Sequence, residues 1–273
     1  MTDDYLVVGA GRMGGALVSG WLADRASKVT AKQLLIIEPN PKGGVQAAVS
    51  AGARLIDAAP GPVKLAQVST VLLAIKPQSF SVIAPTIAPH LPAGALVISI
   101  LAGTSIAQLD QAFPNQNIIR AMPNTPASVG AGITAFTCTA SVTKAQRRTA
   151  ERLLKAGGKV CEVANEHLID VVTAVSGSGP AYVFHMVEAL EAAAIKSGLR
   201  EDIAPVFARQ TIIGAGALLA SSEDSASDLR IAVTSPNGTT QAALDVLMPS
   251  LPALMRDTVK AALARAKALA KGQ

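Results

Sequence analysis

The sequence has few aromatic residues and few charges. Of its 273 residues only 3% are aromatic and 16% are charged, whereas 50% are hydrophobic. The apolar residues are mainly Ala, Val, Leu and Ile, a composition that suits packed helices and buried parallel strands. The formal net charge of +5 is scattered along the chain, with few aromatic side chains to stack on bases. We therefore expect no nucleic-acid partner. A small anionic substrate or cofactor explains the positive net charge as well as a nucleic acid would.

Cysteine is scarce as well. Cys138 and Cys161 are the only two, and with three histidines they form neither a CxxC pair nor a metal-ligand spacing. We therefore predict no metal site and a reducing, cytoplasmic setting. The acidic start MTDDY runs directly into a strand-like segment, so we expect no secretory or transit peptide.

An uninterrupted apolar run of about 20 residues, long enough to cross a membrane, is also missing. Residues 80–109 contain no Asp, Glu, Lys or Arg, but prolines and glycines interrupt them repeatedly. We expect no membrane partner. The high apolar content then indicates a large subunit interface, the alternative being an Ala-rich monomer.

The length favours two domains, and the pattern changes near residue 164. Residues 1–164 alternate β-branched runs with helical stretches, which is typical of a Rossmann-type domain with a parallel sheet. Its predicted strands are Tyr5–Val8, Leu34–Ile37, Val71–Ile75, Leu96–Ile100, Asn117–Arg120, Ile133–Phe136 and Lys159–Val163. Residues 165–273 predict an all-helical second domain. Its predicted helices are Glu166–Val175, Ala181–Ser197, Ile203–Ser221, Gln241–Leu247 and Pro252–Ala270.

The segment VVGAGRMGG follows the first strand and opens a helix. Gly9, Gly11 and Gly14 match the G-x-G-x-x-G pattern of dinucleotide-binding turns. Gly9 permits the tight turn, Gly11 lets a pyrophosphate approach the backbone, and Gly14 lets the helix pack closely on the strand. Arg12 and Met13 lie between these glycines and belong to the same predicted cofactor site.

An acidic residue at the end of the second strand usually binds the ribose hydroxyls, about 20 residues after the glycines. Glu38 stands at that point, somewhat farther along the chain, with a solvated loop carboxylate as the alternative. A carboxylate here repels a 2′-phosphate, which favours NADH over NADPH, although Lys42 is near enough to offset the repulsion.

The segment AIKPQ ends the next strand at the carboxyl edge of the sheet, where open α/β folds bind their ligands. We predict that Ala74, Lys76 and Pro77 contact the cofactor there. The alternative for Lys76 is a plain solvated side chain.

The segment RAMPNTPASVG also follows a strand, and its prolines stiffen a polar loop. We predict that Met122, Pro123 and Asn124 form a wall beside the nicotinamide. A rigid turn without a ligand accounts for the spacing equally well.

Two helix starts in the second domain offer free backbone N–H groups. Ser176 to Gly179 precede Pro180 in VSGSGPAYVF, and Pro236 to Thr240 precede the helical pattern in VTSPNGTTQAAL. A helix N-terminus attracts anions through its unpaired N–H groups and its dipole. Two such termini beside a dinucleotide-binding domain predict an anionic small-molecule substrate.

With these motifs the chain resembles the pyrroline-5-carboxylate reductase family over essentially its full length. The resemblance rests on VVGAGRMGGAL, AIKPQ, RAMPNTPASVG, VSGSGPAYVF and, most distinctively, VTSPNGTTQAAL. The family usually has a second glycine where this chain has Asn237, and Asn tolerates the left-handed conformation that such a position requires.

The resemblance implies a Rossmann domain and a helical dimerisation domain, often assembled into a homodimer or a ring of dimers (decamer) with sites at subunit interfaces. It also implies reduction of the cyclic imine of 1-pyrroline-5-carboxylate to L-proline by NADH or NADPH. A small carboxylate with a polar C=N bond agrees with the anion sites and the dinucleotide motif found above.

The resemblance further implies the roles of individual residues. The N–H groups of Gly238 and Thr239 are expected to bind the substrate carboxylate, while Ser178 and Pro180 line the pocket. Thr240 is expected to hydrogen-bond the ring nitrogen. Glu223 matches an acidic position of the family that is proposed to help deliver the proton.

Two alternatives remain open from the sequence. A β-hydroxyacid dehydrogenase shares a similar opening and a helical second domain, but requires a catalytic lysine, and neither Lys196 nor Lys260 lies in a suitable glycine-rich context. A dinucleotide-binding regulatory protein without turnover belongs to a different class. The intact hydroxyls at both helix starts argue against it.

Overall fold

The computed structural model describes residues 4–56 and 65–270, and an eight-stranded sheet dominates its first part. The strands are β1 (Asp4–Val8), β2 (Leu34–Ile37), β3 (Arg54–Ile56), β4 (Val68–Leu73), β5 (Leu96–Ser99), β6 (Asn117–Met122), β7 (Gly132–Cys138) and β8 (Gly158–Glu162). Their order in the sheet is β3-β2-β1-β4-β5-β6-β7-β8. Every neighbouring pair is parallel except β6 and β7. The predicted Rossmann-type domain is therefore confirmed.

Ten α-helices accompany the sheet within the described ranges. They are α1 (Arg12–Ala23), α2 (Gly44–Ser50), α3 (Phe80–Ile87), α4 (Ile106–Ala112), α5 (Lys144–Leu154), α6 (Glu166–Val172), α7 (Gly179–Lys196), α8 (Ala204–Ser221), α9 (Ala226–Ala232) and α10 (Thr239–Ala270). Capping boxes begin α4, α5 and α9, where the hydroxyls of Ser105, Thr143 and Ser225 satisfy N–H groups of the first turn.

Alternating side chains of the strands build a separate core layer on each face of the sheet. Tyr5 and Val7 of β1 belong to one layer, whereas Leu6 and Val8 belong to the other. Trp21 of α1 is buried in the first layer, and its indole N–H donates to the carbonyl of Leu153 at 2.7 Å. Both faces of the sheet are thus covered, as parallel sheets require.

Two features of the sheet differ from the sequence prediction. Strand β3 is absent from the predicted set. It has only three residues, and because Arg54 and Leu55 are exposed, the sequence shows no buried apolar run there. Strand β7 is antiparallel to β6. The connection between them carries only the short 3₁₀ turn Thr125–Val129, and a parallel return needs a longer crossover.

The helices after residue 165 also differ in detail. Helix α9 is absent from the predicted set, although Ser225 and Asp228 carry its capping signal. Helix α10 is a single helix of 32 residues, so the predicted break between Leu247 and Pro252 is wrong. A proline lacks an N–H group but has a helical φ, so a long helix can continue through it.

By compactness the chain divides into two units. The first contains the sheet, residues up to Gly177 and the end of α10 from residue 262, and the second contains Ser178–Ala261. The sequence division at residue 164 instead assigned α6 and all of α10 to the second domain. Ile169 of α6 explains the difference, because it is fully buried in a small cluster with Met122 and Ala135 of the sheet.

The second unit has little core of its own. Among the described residues of α7, α8, α9 and α10, only Ala204 and Ala208 are buried. Large apolar side chains are exposed along these helices, among them Phe184, Val206, Phe207, Leu218, Val246 and Leu254. Such a surface is typical of an interface between subunits. None of the described helices is long and apolar enough to cross a membrane.

Candidate active site

The predicted cofactor residues of the first unit follow the carboxyl ends of parallel strands. Strands β1, β2, β4, β5 and β6 run in the same direction, so the segments after them meet at one edge of the sheet. Open α/β sheets bind their ligands at this edge. The predicted cofactor residues at or next to this edge are Gly9, Gly11, Arg12, Met13, Gly14, Glu38, Ala74, Lys76, Pro77, Met122, Pro123 and Asn124.

Gly9 and Gly14 are required by the protein's own packing. Gly9 has a φ of +81°, and its N–H donates to the carbonyl of Ile37 at 2.9 Å. A Cβ at Gly14 would lie 2.4 Å from the carbonyl oxygen of Gly9 and 3.0 Å from the Cβ of Ala74. These glycines therefore hold α1 against β1 and β4, as the pattern predicted.

Gly11 is different, because nothing in the chain requires a glycine there. Its φ of −63° is open to any residue, and a Cβ would meet no atom within 4 Å. It precedes Arg12, the first residue of α1, and gives the helix no side-chain cap. The helix N-terminus thus faces open space with free N–H groups, which fits a dinucleotide pyrophosphate.

Glu38 is held firmly at the end of β2. One carboxylate oxygen accepts the N–H of Ala10 at 2.8 Å, and the other accepts the N–H of Asn40 at 2.9 Å. The carboxylate lines a cavity of about 640 Å³ together with Arg12 and Lys42. Carboxylate and cations therefore meet where the adenosine ribose of a dinucleotide would lie.

The segment Met122 to Asn124 at the end of β6 is held by burial and by a hydrogen bond. Met122 and Pro123 are buried, and the side chain of Met122 packs in a small cluster with Ala135 and Ile169. The side-chain oxygen of Asn124 accepts the N–H of Ile133 at 2.9 Å and thereby closes the loop between β6 and β7. Lys76, after β4, is exposed.

In the second unit, α7 begins with the predicted glycine-rich run. Ser178 occupies the N-cap position without a side-chain cap bond, and Pro180 is the second residue of the helix rather than the first. The hydroxyl of Ser176 donates back to the carbonyl of Val172 at 3.1 Å. The hydroxyl of Ser178 is therefore the better placed of the two for a ligand.

The start of α10 is a tight turn. Asn237 has a φ of 61°, the left-handed conformation expected of it. The N–H of Gly238 donates to the carbonyl of Ser235 at 3.0 Å, which differs from the expected role of this group in carboxylate binding. The first helical bond runs from Ala242 to the carbonyl of Gly238 at 3.2 Å, so the N–H groups of Thr239 and Thr240 precede the helical ladder.

Glu223 lies exposed in the short loop between α8 and α9. Its neighbours Ser222 and Asp224 bind each other, with the hydroxyl of Ser222 donating to the carboxylate at 2.9 Å. Across the described ranges, no group of three His, Cys, Asp or Glu side chains is placed to hold a metal ion.

One cluster of charged side chains was not predicted from the sequence. Arg120 of β6 is buried and pairs with Glu166 and Asp170 of α6, at 2.7 and 3.0 Å. The signal was an arginine inside the apolar strand NIIRAM, where a charge needs a buried partner.

A parallel sheet with a glycine-rich turn, an open helix N-terminus and a carboxylate at the end of the second strand defines a dinucleotide-binding protein of the Rossmann class. Residues 5–103 match the model of the family described as NADP oxidoreductase, coenzyme F420-dependent, and residues 166–269 match that of pyrroline-5-carboxylate reductase dimerisation. The chain belongs to the pyrroline-5-carboxylate reductase family.

Individual relatives cover nearly the whole chain. The pyrroline-5-carboxylate reductase of Synechocystis is 37% identical over 97% of this chain and 97% of its own. The structure of the Coxiella burnetii enzyme matches with a TM-score of 0.88 and 32% identity over 98% of this chain and 99% of that one. The Plasmodium falciparum enzyme, solved with NADP bound, matches with a TM-score of 0.80 and 26% identity over 98% of each chain.

Proposed function

We propose that the protein reduces 1-pyrroline-5-carboxylate to L-proline with NADH or NADPH, the last step of proline biosynthesis. The observation that carries this proposal is the start of α10, where the N–H groups of Thr239 and Thr240 precede the helical ladder and Thr240 adds a hydroxyl in the first turn. The substrate presents a carboxylate and a ring nitrogen on neighbouring atoms. One helix terminus therefore has the groups to bind both.

The second unit binds and orients the substrate. The substrate carboxylate accepts hydrogen bonds from the N–H groups of Thr239 and Thr240 at the start of α10. The N–H of Gly238 is not used, because it already donates to Ser235. Thr240 then has its hydroxyl beside the ring nitrogen, and Ser178 and Pro180 line the pocket from the start of α7. Binding in one orientation presents one face of the C=N bond to the hydride donor.

The first unit binds the cofactor. The open terminus of α1 takes the pyrophosphate, Glu38 takes the ribose hydroxyls, and the wall from Met122 to Asn124 borders the nicotinamide. The bound nicotinamide supplies a hydride to the carbon of the C=N bond. The nitrogen takes a proton, and Thr240 keeps a hydrogen bond to it as imine becomes amine. Glu223 is the acidic group proposed to help deliver that proton.

Oligomerisation completes the proposal. The exposed apolar helices of the second unit form a homodimer, and dimers assemble into a ring, such as a decamer. The enzyme works in the cytoplasm, where Cys138 and Cys161 stay reduced.

The test is an assay of NADH and NADPH oxidation with 1-pyrroline-5-carboxylate, run beside a panel of β-hydroxyacids with NAD⁺ and NADP⁺. We expect turnover of the imine alone. Oxidation of a β-hydroxyacid without imine reduction would replace the proposal with the dehydrogenase alternative. Cofactor binding without any turnover would favour a regulatory protein.

A further inference from the structure

We propose that Arg120 is a positioning residue of the reductase, which fixes α6 on the end of β6 in a single register. The inference rests on the proposed function, since it concerns the two chain segments to which that function assigns ligands. Arg120 itself has no contact with either ligand in this proposal. It acts through the elements that it joins.

The geometry is that of a buried clamp. The Arg120 side chain is only 2% exposed, with Nη1 at 2.7 Å from Oε1 of Glu166 and Nη2 at 3.0 Å from Oδ1 of Asp170. The two acids stand one turn apart on α6, so their side chains share a face of the helix. The two arms of one guanidinium therefore contact successive turns of the same helix.

The clamp extends to a third segment. The oxygen of Glu166 that binds Arg120 also accepts the N–H of Ile106, the first residue of α4, at 2.7 Å. Helix α4 follows strand β5, whose Ser99 pairs with Arg120 in the sheet. Strand β6, the start of α4 and the start of α6 are thus connected through a single carboxylate.

Both proposed ligand segments begin at this clamp. Along β6 the next residues are Ala121 and Met122, and Met122 packs on Ile169 of α6 before the wall to Asn124 starts. Along α6 the helix continues into a π-helical turn, Thr173–Gly177, which leads directly to Ser178. A rotation or slide of α6 on β6 would therefore displace both segments.

Apolar packing alone would not fix this register. The cluster of Met122, Ala135 and Ile169 is small, and hydrophobic contact is not directional. Hydrogen bonds from a planar guanidinium to two carboxylates are directional, and a slide of one residue would break both. Burying the Arg120 guanidinium is costly, which suits a group retained for geometry rather than for stability.

The experiment compares Arg120→Met and Arg120→Lys with Arg147→Met. Arg147 is the matched control, because it pairs with Glu162 on the same unit but is 38% exposed. We measure Tm, the Kd of the cofactor, and kcat and KM for the imine, with kcat referred to folded protein. We expect Arg120→Met to lower kcat by about tenfold or more, which corresponds to about 1.4 kcal/mol. The cofactor Kd should change by less than about threefold, which corresponds to about 0.6 kcal/mol.

Arg120→Lys should fall between wild type and Arg120→Met, because one ammonium reaches one carboxylate at a time, and Arg147→Met should match wild type. A lower Tm with unchanged kcat would overturn the inference and leave Arg120 a purely structural residue. If Arg120→Met does not fold, Glu166→Gln and Asp170→Asn carry the test, and wild-type kcat in both would overturn it. An inactive wild type would refute the proposed function instead.

Discussion

The carboxylate of Glu38 accepts the N–H of Ala10 at 2.8 Å, which ties the end of β2 to the glycine-rich turn after β1. The second oxygen is held by the N–H of Asn40 at 2.9 Å. A carboxylate anchored at both oxygens cannot swing out of the cavity when a cofactor enters. If the ribose binds beside Glu38, as the sequence pattern predicts, this charge acts on the group at its 2′-position.

From this arrangement we predict a preference for NADH, or at least no strong preference for NADPH. A fixed carboxylate accepts bonds from ribose hydroxyls but repels a 2′-phosphate, an effect that Arg12 and Lys42 on the same cavity reduce. Glu38→Gln should shift the ratio of kcat/KM values toward NADPH by about tenfold. An advantage of about tenfold or more for NADPH in the wild type would contradict the placement of Glu38.

The two glycines of the turn should behave differently on substitution. Gly11→Ala adds a methyl group in open space, so we expect Tm to stay nearly constant while KM for the cofactor rises by about tenfold. Gly14→Ala forces a Cβ against the carbonyl of Gly9 and should cost about 1–3 kcal/mol of stability or prevent folding. A Gly11→Ala variant with unchanged KM would mean that the pyrophosphate binds elsewhere.

Thr240→Ala should separate catalysis from helix capping. Losing one hydrogen bond that strengthens along the reaction costs about 2–4 kcal/mol, so kcat/KM for the imine should fall at least about tenfold while Tm moves by a few degrees. Thr258→Ala is the control, because Thr258 lies on the same helix and its hydroxyl binds the carbonyl of Leu254. A stability loss of about 1 kcal/mol with near-normal turnover would make Thr240 a plain cap.

The apolar surface of the second unit predicts an obligate oligomer. Leu218 and Leu219 of α8 are 58% and 52% exposed within one chain. We expect Leu218→Glu to shift sedimentation toward the monomer and to reduce activity, whereas the exposed polar position Arg209→Glu should have little effect. A stable, active wild-type monomer at assay concentration would refute the oligomer.

The two cysteines should differ in reactivity. Burial raises the pKa of the Cys138 thiol, and nearby Glu162 adds to the rise while Arg147 opposes it. Because a raised pKa leaves less thiolate, we expect iodoacetamide at about pH 7 to modify the exposed Cys161 first, with the labelling of Cys138 increasing as the pH is raised. Peptide mass spectrometry of Cys138→Ser and Cys161→Ser variants measures the two rates separately. Faster labelling of Cys138 at neutral pH would contradict the burial effect.

Much of the first unit was readable from the sequence, because its signals are local. Strand β2 was predicted at its observed limits, Leu34–Ile37, because a run of four apolar residues is long enough for a buried strand but too short for a helix. Gly9 was assigned to a tight turn and has a positive φ, and Gly14 was assigned to close helix–strand packing, where no Cβ fits. The site residues remain predictions beyond their placement at the sheet edge.

Local signals were weaker in the second unit. Two helices, Gln241–Leu247 and Pro252–Ala270, were predicted where the structure has one, since a helix can continue through prolines that lack an N–H donor. The N–H of Gly238 was assigned to the substrate, but the turn before α10 uses it. In both cases the outcome depends on how neighbouring backbone groups pair, which residue type alone does not reveal.

By itself the sequence determined the strand pattern, the glycine-rich turn and the family, because each is encoded in residues close together along the chain. Only the tertiary structure decided that β7 runs antiparallel to β6 and that Arg120 meets acids 46 and 50 residues further on. A buried charge must find its partner wherever folding places one. Pairings at such separations are selected by the packing of whole elements, and periodicity in the sequence carries no record of them.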